Sequence, residues 1–147
     1  PVRAGGLGLV GAADLVICAE SVTFALSEVR LALAPAVISL TLLERLDSRA
    51  AADVFLTGRQ FGATEAAQMG LITKAVPDSD LEASLGALLA DLSHGYPQGF
   101  AETKAILNRG LVERFDRLGE ELASQSARLF GSDQAREAMK AFLSKKR

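Results

Sequence analysis

The 147-residue chain holds one cysteine and one histidine. A lone Cys18 excludes a disulfide scaffold and any multi-cysteine metal site, and it suits a reducing compartment. A lone His94 excludes a multi-histidine metal site, so no metal is expected. Hydrolytic triads are left with few members, and chemistry has to rest on carboxylates, backbone amides or a borrowed cofactor. Neither sign of charge dominates: 16 Lys+Arg against 18 Asp+Glu give a net charge of −2. That balance is too even for a general nucleic-acid binder. Charges also interrupt every apolar run well before the roughly 18–20 residues that a membrane span needs. The first residue is Pro and no signal peptide is visible, so the chain reads as though it begins mid-protein. These absences lead us to expect a cytoplasmic protein with neither nucleic acid nor membrane as partner.

What is present favours helix. Hydrophobic residues make up 49% of the chain, an ordinary value for one domain. Ala and Leu, 25 and 23 of them, supply about a third of it and are strong helix formers. Periodicity gives the organisation. A glycine turn at residues 4–8 leads into a small-residue helix over Leu7 to Ala13. Two apolar runs, Leu15 to Ala19 and Val22 to Leu26, read as buried strands that lack neighbours to pair with. Pro35 opens a helix predicted to run to about Leu46. Shorter helices follow over Ser48 to Leu56 and Thr64 to Met69, then a brief extended segment before Pro77. Leu81, Leu85, Leu88, Leu89 and Leu92 form one apolar stripe. Pro97 starts a helix to about Arg109, and Leu111 to Leu129 mark a long one. Ser132 or Asp133 can cap the last helix, with Ala135, Ala138, Met139 and Phe142 as its predicted buried face.

Two places could carry chemistry. Gly5 and Gly6 leave backbone N–H groups open to close approach at a helix start, which suits a phosphate, a carboxylate or a developing oxyanion. Taken alone, the glycines better describe a tight turn packed closely against something else. Glu28 stands between an apolar strand and another apolar run, where burial raises its pKa and makes it a proton carrier near neutral pH. The plainer alternative is a structural ion pair with Arg30 or Arg3. His94 lies in a polar loop, Cys18 reads as inert core, and Asp14 as a turn or cap. The final Lys145-Lys146-Arg147 is a solvated helix end that could meet a phosphate.

Three stretches then read together. Residues 3–16, from Arg3-Ala4-Gly5-Gly6-Leu7-Gly8 to Asp14-Leu15-Val16, resemble the second oxyanion segment of the enoyl-CoA hydratase (crotonase) superfamily. Thr23-Phe24-Ala25-Leu26-Ser27-Glu28-Val29-Arg30-Leu31, with Pro35, resembles its catalytic-glutamate segment. Leu56-Thr57-Gly58 with Ala63-Thr64-Glu65-Ala66 and Gly70-Leu71-Ile72 is similar to a third signature, and Ala138 to Leu143 to the closing helix. The resemblance implies an α/β fold: the end of a crotonase, ClpP-like ββα spiral over residues 1–47, then a C-terminal helical, oligomerising region over residues 48–147. It also implies that about a hundred residues of such an enzyme precede this point.

By the same resemblance Gly5 is the glycine whose N–H holds the thioester oxygen, with Gly6 beside it. Glu28 is the glutamate that handles a proton on the acyl chain. Phe142 and Lys145 fall where relatives touch the CoA nucleotide. The substrate is an acyl-CoA thioester, CoA entering only as part of it, with no separate cofactor, and the assembly is a homotrimer or hexamer. Two departures stand out. Gly8 occupies the place of the first glutamate of two-glutamate hydratases, and Pro35-Ala36-Val37-Ile38-Ser39 replaces Pro-Gly-x-Gly-Gly. The latter is similar to a methylglutaconyl-CoA hydratase-like subgroup. The leading expectation is an enoyl-CoA hydratase, a hydro-lyase of fatty acid or related acyl-CoA metabolism. The alternatives are a Δ3,Δ2-enoyl-CoA isomerase with Glu28 as sole base, and a non-catalytic acyl-CoA-binding or assembly protein.

Overall fold

The computed structural model describes residues 1–144; Lys145 and the predicted nucleotide contact it carries lie outside them. Five short strands make two small sheets. In the first, β1 (Val2–Arg3) runs parallel to β3 (Thr23–Ala25), and β4 (Gln60–Gly62) runs antiparallel on the other side of β3. In the second, β2 (Ile17–Ala19) pairs in parallel with β5 (Lys74–Val76). The two apolar runs therefore do not lack neighbours, contrary to the sequence expectation. Their partners come from up to 57 residues along the chain, as in the Ile17–Lys74 register, a separation that periodicity does not reveal.

Helix α1 (Gly5–Ala12) crosses from β1 and packs on α2 (Ser39–Leu42). Small residues make that crossing close: a Cβ on Gly11 would stand 2.8 Å from Thr41 Oγ1. The predicted helix from Pro35 to Leu46 is corrected to the single turn of α2. The reason lies in its hydroxyls. Ser39 Oγ donates to the Ala36 carbonyl (2.6 Å), and Thr41 Oγ1 reaches the carbonyls of Ile38 (3.2 Å) and Gly8 (3.1 Å). Such side-chain bonds compete with the helical ladder.

Helices α3 (Ser48–Thr57) and α4 (Ala63–Gln68) flank β4. Arg59, between them, forks onto Asp53 and Glu65 and ties the three elements. Leu7, Phe24, Leu26, Leu42, Val54 and Phe61 form the centre of the core, with Phe24 and Phe61 stacked at 5.6 Å across β3 and β4. The remaining chain is helical: α5 (Leu81–Ser93), α6 (Pro97–Leu107), α7 (Arg109–Phe130) and α8 (Asp133–Ser144). Asp14 lies at the bend between α1 and β2, as expected, and there ties to α6 and the junction after it, accepting from Lys104 Nζ (2.8 Å) and Asn108 Nδ2 (3.0 Å). On α8, Ala135 is buried and Ala138 and Met139 partly so, while Phe142 stays half exposed, which corrects its predicted burial. Among the described residues no helix is long and apolar enough to cross a membrane.

Candidate functional site

Because β1 and β3 run parallel, their carboxyl ends lie side by side. Gly5 follows the end of β1 by two residues and Glu28 follows the end of β3 by three. The ground beyond the carboxyl ends of parallel strands is where such sheets receive ligands. One cavity of about 260 Å³ takes in both Gly5 and Glu28. Its far wall comes from the end of the chain: Ser126 and Phe130 on α7 and Met139 on α8.

Gly5 opens α1, and the first N–H groups of a helix have no acceptor within it. No side chain caps this one. A Cβ added at Gly5 would meet nothing within 4 Å, and the residue is exposed. Gly6 faces Val2 instead, whose Cγ1 lies 3.2 Å from where its Cβ would be. The chain enters the helix through Ala4 at φ 47°, ψ −126°. Such conformations cost a non-glycine residue about 1–3 kcal/mol and collect at functional sites.

Glu28 sits in a 3₁₀ turn, Ser27–Leu31, that ends at Ala32 in the left-handed region. The N–H groups of Ala32 and Leu33 both donate to its carbonyl, which fixes the turn. The carboxyl group is half-buried, and burial pushes its pKa up, partly offset by a bond from its own backbone N–H. Its Oε2 is buried with no hydrogen-bond partner. The two arginines offered as ion-pair partners bind elsewhere. Arg3 donates to the Thr23 carbonyl (2.8 Å) and Gln60 Oε1 (2.9 Å), clamping the first sheet, and Arg30 Nε donates to the Thr57 carbonyl (3.1 Å). The structural ion-pair reading of Glu28 therefore fails. A buried acceptor oxygen without a donor is costly, and a bound water or hydroxyl would relieve it.

Gly8 carries no acid, and there is no room for one. Ile38 Cγ2 stands 2.9 Å from the position of a Cβ there. Glu28 is the one charged side chain among the described residues that line the cavity. A second groove of about 390 Å³ shares Ser27 and Leu31 with this cavity and adds Arg30 and Phe142. His94 is exposed, its ring near the Asp91 carbonyl, and Cys18 is buried in β2, where burial raises its thiol pKa. Among the described residues no group of three or more His, Cys, Asp or Glu could hold a metal ion. The sequence reading missed Ser126 and Phe130, whose spacing of four puts them on one helix face without saying what that face meets.

The Enoyl-CoA hydratase/isomerase family profile matches residues 1–147. The chain belongs to this family. A Rhodobacter capsulatus family member named "Probable enoyl-CoA hydratase" is 38% identical over 146 residues, 96% of this chain and 55% of its own length. Carnitinyl-CoA dehydratase of Salmonella typhi is 34% identical over 103 residues, 69% of this chain and 40% of its own length. The crystal structure of an enoyl-CoA hydratase from Mycobacterium avium superposes with a TM-score of 0.95 at 53% identity, over 98% of this chain and 57% of that one. The fold is thus the crotonase fold, α/β with a C-terminal helical region. The chain spans about half the length of the relatives it matches.

Proposed function

We propose that this enoyl-CoA hydratase/isomerase family member adds water across the double bond of a 2-enoyl-CoA. The observation that carries the reading is the half-buried Glu28 carboxyl group, its Oε2 without a partner, sharing one cavity with Gly5 at the start of α1. Glu28 accepts a proton from water as the water oxygen bonds to Cβ of the acyl group. The electron pair of the double bond moves toward the thioester, and negative charge collects on its oxygen. The Gly5 N–H stabilises that charge; one such donor is typically worth about 3–4 kcal/mol. Glu28 then gives its proton to Cα, so one water has been added and the carboxylate is restored. CoA arrives attached to the acyl group. Arg30 and Phe142, in the adjoining groove, would take its phosphate and nucleotide end.

The direct test is crotonyl-CoA hydration by Glu28→Gln. The expected loss is about 10²–10⁴-fold in kcat, the usual worth of a positioned acid–base group; full turnover would remove Glu28 from the chemistry and favour a non-catalytic acyl-CoA-binding role. A second reading has its own support. With Gly8 blocked by Ile38, a lone carboxylate suits moving one proton between two carbons, as a Δ3,Δ2-enoyl-CoA isomerase does. Turnover of 3-enoyl-CoA with no hydration of the 2-isomer would decide for it. We further propose a homotrimer or hexamer assembled through residues 48–147, in the reducing cytoplasm that a single cysteine suits.

A further inference from the structure

Ile38 is the part of the cavity wall that no role above explains. It lies in the irregular stretch between Pro35 and α2, is partly buried, and borders the same cavity as Gly5 and Glu28. It is held from behind. Its Cγ2 and Cβ stand 2.9 Å and 3.4 Å from where a Cβ on Gly8 would be, so it fills the volume a side chain at position 8 would need. Thr41 Oγ1 bridges the carbonyls of Ile38 and Gly8, fastening this stretch to α1. A β-branched side chain has few rotamers to yield into. An acyl chain that reaches this point therefore meets a fixed hydrocarbon wall, continued by Leu33, Ala36 and Val37.

We propose that Ile38 sets the length of the hydrocarbon acyl group this site accepts, by closing the space over Gly8. The proposal rests on the acyl-CoA reading above and deepens it. Its test measures binding of butyryl-CoA and octanoyl-CoA by calorimetry, beside turnover of crotonyl-CoA and octenoyl-CoA. One buried methylene is worth about three- to fourfold in affinity, and Ile38→Ala removes three carbons. Ile38→Ala should therefore raise the octanoyl-to-butyryl affinity ratio at least about 10-fold, with the same shift in kcat/KM for the enoyl pair. Should Ile38→Ala fail to fold, Ile38→Val is read instead, with an expected shift of about threefold from one lost methylene. Gly8→Ala inserts the atom that Ile38 excludes, displaces it and lowers the ratio; combined with Ile38→Ala, the two effects should not add. An unmoved ratio in folded variants overturns the role of Ile38 while leaving Glu28 as the acid–base group. Tight binding of the saturated pair without turnover of either enoyl-CoA overturns the reaction and leaves the length shift to be read in binding. No binding of any of these thioesters overturns both.

Discussion

Between Leu7 and Val76 lie all the buried hydrophobic side chains of the described residues except one; from Leu81 onward only Ala135 is buried. Yet α5 to α8 are no less rich in leucine. Leu85, Leu89, Ile106, Leu107, Val112 and Phe115 all stand exposed. The first region buries its apolar residues against one another through β pairing and the Phe24–Phe61 stack. The second arranges them as stripes along helices and leaves large apolar side chains exposed. The catalytic proposal draws on both: the first region supplies the chemistry, and the second supplies a wall of the cavity and, with Phe142, one side of the adjoining groove.

The sharpest way to break this contrast is Glu28→Gln, which should separate function from stability. Beyond the 10²–10⁴-fold loss in kcat, the wild-type rate should fall as pH drops through an apparent pKa above the ordinary glutamate value of 4.5. The folded state holds the Glu28 proton more tightly than the unfolded chain does. Its stabilising contribution is thus present below the ordinary pKa and is lost as pH rises through the raised one. Thermal melts at neutral pH should find Glu28→Gln more stable than the wild type.

Next in size is the core. Phe24, 1% exposed, should cost about 3–5 kcal/mol as Phe24→Ala in denaturant unfolding. Arg59→Ala should cost about 1 kcal/mol, since its ion pairs with Asp53 and Glu65 are partly solvated. Here the sign is opposite to that of Glu28. Arg59 holds the Glu65 carboxyl below its usual range, so this contribution is present at neutral pH and disappears as pH falls through the lowered value. The smallest effect belongs to the helical region. Ile106→Ser, at a site 67% exposed, should leave monomer stability within about 0.5 kcal/mol. Sedimentation should show weakened association if these helices join subunits; a loss of several kcal/mol instead would mean that the helices carry a core of their own.

The elements with strong local signals were legible in the sequence. Pro97 at the first position of α6, and the leucine stripe of α5, each set a helix close to the observed bounds. Gly5 and Glu28 were only candidates by their neighbours, glycines at a helix start and an acid between apolar runs; the resemblance to the crotonase superfamily singled them out, and the structure places them on one cavity. What sequence did not reveal depends on distant partners. β4 at Gln60–Gly62 has three residues and no alternation of its own; it exists because β3 offers it an edge. The stretch after Pro35 has helical composition, but its backbone bonds mix three- and four-residue spacings, and its hydroxyls share the carbonyls of Ala36 and Ile38. The opposite wall of the cavity, from Ser126 to Met139, is a hundred residues away from Glu28, and no local pattern joins them.

That distance has a consequence for how the site comes into being. Glu28 is synthesised well before Met139, and α8 packs back on the turn that carries Glu28. Until that closing segment emerges, the cavity beside Glu28 lacks the wall formed by Ser126, Phe130 and Met139. A nascent product that stops short of α7 would thus hold Gly5 and Glu28 without the enclosure they share in the folded chain.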